Sequence, residues 1–352
     1  MNIAVMGPCG AVGRQIVQQI VIERLLSCDQ RLTLVANPDG SSARSAYGLA
    51  ADLADAYSEI LPRVEVVLDP CELRSDLIVV AAGATPQPSG QSLSMSRDAL
   101  ARHNAPVFAH LADALAVHDR GHEIVVCVSN PNELAVAAFA RRLDRKRVIG
   151  MGAFLDSLRF REAIAFDLGV PRQQVHAFAG GEHGANLVPL WSTVHVFGFD
   201  SDRLSNALDP IRQGISPANF PDAVASAIAE VKPLIIEGKT QDAYELVARH
   251  APDVRVAVRP FVTHYSGAKT IVGTARATME LLRTITQGAD ALVSGQIALE
   301  GEVYGLEGAI GVPFVVGNQG VDRVFELPLS GDERRALRAS AERIQGKLEP
   351  FV

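Results

Sequence analysis

Hydrophobic and polar positions in the first part of the chain alternate between short apolar or β-branched runs and longer stretches with helical period. The short runs are Asn2 to Met6, Leu32 to Ala36, Val64 to Leu68, Leu77 to Ala81, Pro106 to Phe108 and Glu123 to Val128. Six strand candidates separated by helix-length segments predict a parallel, doubly wound sheet with helices on its faces. Beyond residue 150 the texture changes. A helix is expected from about Ser157, strands over Val175 to Ala179 and Ser192 to Phe199, and helices over Pro221 to Glu237, Thr240 to Arg249 and Thr270 to Thr286. Late strand patterns at Gly301 to Tyr304, Ile310 to Val316 and Asp322 to Leu327 predict an antiparallel layer. Gly331 to Leu348 reads as a closing amphipathic helix. The fold class is α/β, with a parallel sheet followed by an α+β domain containing antiparallel strands.

Composition narrows this picture. A chain of 352 residues with 48% hydrophobic content exceeds the size at which one core usually stops growing, so two lobes are expected, over 1–150 and 151–352. A formal charge of −7 argues against nucleic acid or an anionic membrane as the main partner. Any anionic ligand must then be drawn by local arginines. Cys9, Cys28, Cys71 and Cys127 show no C-x-x-C spacing, which disfavours a zinc site and fits reduced thiols. The first strand begins at Asn2, leaving no room for a signal segment, and no run is long and apolar enough to span a bilayer. The expectation is a soluble cytoplasmic protein without a bound metal.

The first chemical motif is Gly7-Pro8-Cys9-Gly10-Ala11-Val12-Gly13, between the opening strand and the helical run Arg14 to Leu26. Gly7, Gly10 and Gly13 there allow a tight turn, close approach of backbone to a pyrophosphate, and close packing of helix on strand. That is the dinucleotide-binding signature of a Rossmann domain; a glycine-rich turn without a ligand is the alternative. The tip of the second strand normally carries an acidic residue for the ribose hydroxyls of NAD. Here it reads Val35-Ala36-Asn37-Pro38-Asp39, and Asn37, Ser41, Ser42 and Arg44 offer groups suited to a 2′-phosphate. The cofactor is NAD or NADP, with the balance tipped toward NADP.

The second motif is Gly180-Gly181-Glu182-His183-Gly184-Ala185-Asn186, followed by the apolar Leu187-Val188-Pro189-Leu190-Trp191-Ser192. Upstream lies Leu155-Asp156-Ser157-Leu158-Arg159-Phe160-Arg161, which puts a carboxylate and a guanidinium on one face of a helical turn. A histidine, an aspartate and an arginine are the parts needed to move a proton and hold a carboxylate.

Taken in order, the glycine loop, Val128-Ser129-Asn130-Pro131, Leu155 to Arg161 and Gly181 to Gly184 resemble the lactate/malate dehydrogenase family. The likeness extends to Gly48-Leu49-Ala50-Ala51-Asp52-Leu53, to Arg97-Asp98-Ala99-Leu100 with Asn104, and to Gly311-Val312-Pro313. It covers nearly the whole chain, and the continuation Val188-Pro189-Leu190-Trp191-Ser192 is more similar to the malate branch. The resemblance implies an NAD(P)-dependent dehydrogenase that interconverts a small-molecule 2-hydroxy acid and its 2-oxo acid, in a homodimer or homotetramer. His183 would take the hydroxyl proton, and Asp156 would orient and stabilise it, although Asp156 also reads as a helix cap. Arg159 would clamp the substrate carboxylate, or else pair with Glu162 on the helix surface. Arg97 would polarise the carbonyl oxygen and Asn130 would donate to it; alone, each also reads as solvated loop or turn chemistry. Asn104 and Ser129 join the cofactor set. Two other readings stand beside this one: a cofactor-dependent glycoside hydrolase, which needs a metal held by cysteine and histidine, and a nucleotide-binding relative without catalysis.

Two departures from the family bear on the substrate. Malate dehydrogenases typically carry Pro-Arg-Lys-Pro-Gly after the fourth strand, whose arginine pairs with the distal carboxylate; this chain has Gly83-Ala84-Thr85-Pro86-Gln87-Pro88-Ser89-Gly90-Gln91-Ser92. Gln87 and Gln91 are candidate occupants of that pocket, which points to a neutral or polar acceptor of lactate type unless another arginine serves. Ser89 to Ser96 fits a lid. The second departure is extra material over about Ser216 to Tyr265, with a helical hairpin and a strand-like Asp253 to Val258, which would reshape the pocket or an oligomer contact or stand as a neutral insertion.

Overall fold

The computed structural model describes residues 1–84 and 97–351, the side chain of Arg97 excepted. The first half lays down β1 (Ile3–Met6), α1 (Ala11–Ile22), β2 (Arg31–Val35), α2 (Ser42–Tyr57), β3 (Arg63–Val67), β4 (Leu77–Val80), α3 (Arg97–Ala116), β5 (Ile124–Cys127), α4 (Asn132–Ala140) and β6 (Val148–Gly150). These strands pair in parallel in the order β3-β2-β1-β4-β5-β6. β1, β4 and β5 are buried along their whole length, as a sheet covered by helices on both faces requires. This is the doubly wound order whose chain reversal, between β1 and β4, opens a crevice at the carboxyl ends of the strands.

The second half continues with α5 (Gly152–Leu168), β7 (Val175–Gly181), β8 (Leu187–Val196), α6 (Ser201–Arg212), α7 (Phe220–Ile236), α8 (Thr240–Val247), α9 (Pro252–Tyr265), α10 (Ile271–Gln287), β9 (Ala291–Glu300), β10 (Glu307–Gly317), β11 (Gly320–Val324) and α11 (Gly331–Leu348). β9 joins β6 antiparallel at Gly150 and Gln296, and the sheet runs on through β10, β7 and β8, with β11 on the flank of β10. One apolar core spans both halves of this sheet. A second cluster, including Phe160, Val175, Trp191, Phe220, Val231 and Val254, sits between α5, β7, β8 and the helices α6 to α9.

Three expected strands are corrected. Pro106 to Phe108 lies inside α3, where Leu100, Asn104, Phe108, Ala112 and Leu115 are buried at helical spacing. Asp253 to Val258 belongs to α9, which Pro252 opens at its first turn, a position where the missing N–H costs nothing. Gly301 to Tyr304 is the turn of the β9–β10 hairpin. The strand before it was hidden because Ser294 and Gln296 are polar yet fully buried. The helix expected from Ser157 begins earlier, at Gly152, so Asp156 lies in its second turn and does not cap it.

Candidate active site

The glycine loop closes the mouth of the crevice. Gly7 has φ +79°, and a Cβ there would meet the Ala81 carbonyl at the end of β4 at 2.8 Å. A Cβ on Gly13 would lie 2.1 Å from the Gly7 carbonyl, so α1 can start this close to β1 only with glycine. Gly10 caps α1 with no side-chain hydrogen bond, and Gly10 and Ala11 are exposed. An uncapped helix N-terminus at the carboxyl end of a buried strand fits the pyrophosphate of a dinucleotide. At the tip of β2, Asn37 accepts a hydrogen bond from the Asp39 N–H at 2.9 Å, folding a turn with no carboxylate on the strand itself. Asn37, Ser41 and Arg44 are exposed around it, and Ser42 opens α2.

His183 sits in the turn after β7, between Gly181 at φ +75° and Gly184 at φ +96°. Its Nδ1 lies 2.8 Å from Asp156 Oδ2, and the Gly184 N–H donates to the same oxygen at 3.1 Å. Asp156 is 1% exposed. Burial opposes its ionisation, but attraction and hydrogen bonding from His183, the Arg159 charge and the Gly184 N–H outweigh it and hold the carboxyl below its ordinary range. One turn along α5, Arg159 Nη1 approaches Asp156 Oδ1 at 3.4 Å, and among the described residues it forms no ion pair or hydrogen bond with Glu162. Its side chain is 23% exposed. The structure thus brings together three of the predicted residues, His183, Asp156 and Arg159, with an Nδ1-bonded imidazole that can exchange a proton and a cation placed to hold an acid.

Asn104 and Ser129 act on the frame around the cleft. Asn104 is fully buried; its Oδ1 accepts from the Ala84 N–H at 2.7 Å, and its Nδ2 donates to the Ala84 and Asn130 carbonyls at 3.2 and 2.7 Å. Ser129 donates to the Ala82 carbonyl at 2.5 Å. Both tie the segment after β4 to the turn after β5. Asn130 is exposed on that turn, ahead of a cis peptide to Pro131. Gln87, Gln91, the lid segment Ser89 to Ser96 and the side chain of Arg97 lie outside the described residues.

Four further residues hold the site and were not foreseen. Glu133, 5% exposed, accepts the His183 backbone N–H at 2.7 Å and the Gln296 amide at 3.2 Å. Gln296 Oε1 and Asn132 Oδ1 in turn accept the Ala153 and Gly152 N–H groups, so the first turn of α5 is capped by side chains from β9 and α4. Gly152 gives the imidazole its seat, because a Cβ there would stand 2.6 Å from His183 Cγ. The sequence signal for Glu133 is a carboxylate opening the otherwise apolar run Leu134 to Ala140. Gln296 and Gly152 carry no comparable local signal.

A doubly wound nucleotide-binding fold with a histidine–aspartate pair and an arginine at its edge has the parts that a nicotinamide-dependent oxidoreductase acting on a CH–OH group needs. A family model described as lactate/malate dehydrogenase, NAD binding domain, matches residues 1–150, and another, lactate/malate dehydrogenase, alpha/beta C-terminal domain, matches residues 214–352. The L-lactate dehydrogenase of Moorella thermoacetica is 30% identical over 306 residues, covering 85% of this chain and 84% of that protein. The malate dehydrogenase of Halobacterium salinarum is 30% identical over 281 residues, covering 79% and 77%. The solved malate dehydrogenase of Aeropyrum pernix shares the fold with a TM-score of 0.75 at 23% identity, covering 99% of this chain and 97% of the other. The protein belongs to the lactate/malate dehydrogenase family. Its members are NAD-dependent 2-hydroxy acid dehydrogenases, and the glycine loop of this chain fits that cofactor.

Proposed function

We propose that this protein interconverts a 2-hydroxy acid of malate type and its 2-oxo acid, with His183 as the proton-transfer group. The observation that carries the reading is the 2.8 Å contact between His183 Nδ1 and a buried, ionised Asp156, with Arg159 one turn away. The bond to Asp156 keeps the proton on Nδ1, which makes Nε2 the basic nitrogen. During oxidation Nε2 takes the hydroxyl proton, and Asp156 stabilises the imidazolium that forms. A nicotinamide held by the glycine loop would supply the acceptor for the hydride on the carbon that bears the hydroxyl, so that the two electrons and both hydrogens lost by the alcohol are accounted for. In reduction the imidazolium returns the proton to the carbonyl oxygen. Arg159 holds the 1-carboxylate and fixes which face of the carbon is presented. Gly7, Gly10 and Gly13 would cradle the pyrophosphate, and Asn37, Ser41, Ser42 and Arg44 would receive a 2′-phosphate, which favours NADP at this site.

The test is reduction of 2-oxo acids followed by absorbance loss of NADH and of NADPH. His183→Asn is expected to lower kcat by about 10³-fold or more while nucleotide affinity stays unchanged. Undiminished turnover in that variant, or no turnover of any 2-oxo acid by the native protein with either nucleotide, rejects the reading.

A further inference from the structure

Helix α11 lies along the back of the histidine turn. Glu333, Ser340 and Lys347 recur every seven residues, two helical turns apart, so they form one polar line beside the buried Leu337 and Ile344. Each member of the line grips the β7–β8 hairpin. Glu333, in the first turn of the helix, accepts the Ser192 N–H at 2.8 Å and also the Ser192 hydroxyl. Ser340 Oγ accepts the Glu182 N–H at 2.9 Å, and the Lys347 ammonium donates to both oxygens of the Glu182 carboxylate at 2.8 and 3.0 Å. Glycine permits the approach: a Cβ on Gly181 would stand 2.9 Å from Ser340 Oγ.

β7 ends at Gly181, and the next three backbone N–H groups are each taken by a side chain from a different helix: Glu182 by Ser340 of α11, His183 by Glu133 of α4, and Gly184 by Asp156 of α5. Behind the turn, α3, the segment after β5 and α11 leave a cavity of about 30 Å³, lined among others by Glu133, Glu182, Ile344 and Lys347. Polar contacts rather than close packing therefore fix the turn on that side. An exposed ion pair would contribute little, but Glu182 is 4% exposed, and a carboxylate that deep stays in place only while its partners do. Those partners include Lys347, Arg343 Nε at 3.4 Å and the Asn186 amide at 3.0 Å.

Resting on the dehydrogenase reading above, we propose that Ser340 and Lys347 of α11 are positioning residues for the proton transfer. By holding Glu182 at its N–H and at its carboxylate, they fix the neighbouring His183 against Asp156 and the reacting carbon. α11 thus works as a strut, anchored on Ser192 at one end and on the histidine turn at the other.

The test is the single-turnover rate of 2-oxo acid reduction, counted per molecule of nucleotide bound. Lys347→Met keeps the aliphatic stem and removes the charge; it is expected to lower that rate about tenfold or more, with the KM for the acid and the nucleotide affinity within about threefold of native. Lys347→Arg, whose guanidinium also pairs with a carboxylate, should recover most of the rate. Lys347→Met combined with Glu182→Gln breaks one contact from both ends, so the double variant should lose less than the product of the two single losses. An unchanged rate per bound nucleotide in Lys347→Met, with fewer nucleotide sites, marks a purely structural role and overturns the proposal while the dehydrogenase reading stands. A loss carried by KM alone, or single losses that multiply, overturns it too. Should Lys347→Met fail to fold, Ser340→Ala gives the same readout by removing the acceptor of the Glu182 N–H, and a native rate there overturns the proposal. No turnover of any 2-oxo acid by the native protein rejects the dehydrogenase reading and the proposal with it.

Discussion

Glu133 and Asp156 are both buried carboxyls within hydrogen-bonding distance of His183, yet their ionisation shifts in opposite directions. For Asp156, His183, Arg159 and a backbone N–H overcome burial. For Glu133, burial prevails over the attraction of the His183 backbone N–H and imidazole, and the carboxyl is pushed above its ordinary value. The signs for stability follow. The depressed Asp156 favours the fold above its unfolded pKa of about 3.9 and ceases to do so as pH falls through its folded value. The raised Glu133 favours the fold below about pH 4.3, and that contribution is lost as pH rises through its folded value. Glu133→Gln, which keeps an acceptor for the His183 N–H, should therefore flatten the decline of the urea midpoint between pH 4.5 and pH 8. Glu133→Ala leaves that N–H unpaired and should cost about 1–3 kcal/mol across the same range. A Gln variant with the same pH slope as the native protein contradicts the assignment. Residues 180–184 and 155–161 could be picked out from the chain because their chemistry is dense and local. Glu133 could not be given its role, because its partner is fifty positions away.

At the scale of elements, α5 carries the site because its first turn is secured from outside, by Asn132 and Gln296, and because Gly152 lets the imidazole rest on it. Gly152→Ala should displace the ring by several tenths of an ångström or more and lower kcat by about 100-fold, with a far smaller change in the thermal midpoint. Native kinetics in that variant would show that the contact is not required. α9 depends on the Arg255–Asp167 pair, whose side chains are 13% and 16% exposed. Arg255→Ala should destabilise the protein by about 1–3 kcal/mol in urea unfolding, since it strands a largely buried carboxylate and removes the donor to the Ala163, Ala248 and His250 carbonyls. The elements that could be read from pattern were those with strong periodicity, such as α10, α11, β1 and β4. Pro106 to Phe108 and Asp253 to Val258 misled because a short apolar run has the same appearance in a buried helix as in a strand, and only the neighbours that bury it decide.

The whole molecule is one sheet with two characters, parallel from β3 to β6 and antiparallel from β9 to β8 among the described residues. The glycine-loop crevice belongs to the parallel half, and His183 and Asp156 lie at its junction with the antiparallel half. Ligand binding to the crevice should then stabilise the entire cooperative unit. Saturation with the preferred nucleotide at about 100 times Kd should add about 2.7 kcal/mol to the unfolding free energy. NADPH is expected to raise the midpoint more than NADH, and Arg44→Gln to remove that difference; equal shifts in the native protein would assign the β2 tip to NAD.

By itself the sequence determined the α/β class and the glycine loop, and it singled out His183, Asp156 and Arg159 as candidates, because each depends on residues near one another in the chain or on a fixed spacing along a helix. Tertiary structure alone decided that Glu133, Gln296 and Gly152 support the histidine, and that Arg255 ties α9 to α5. Those contacts join positions far apart in the chain, and their energies come from burial and from close approach, which exist only once the two halves of the sheet have met.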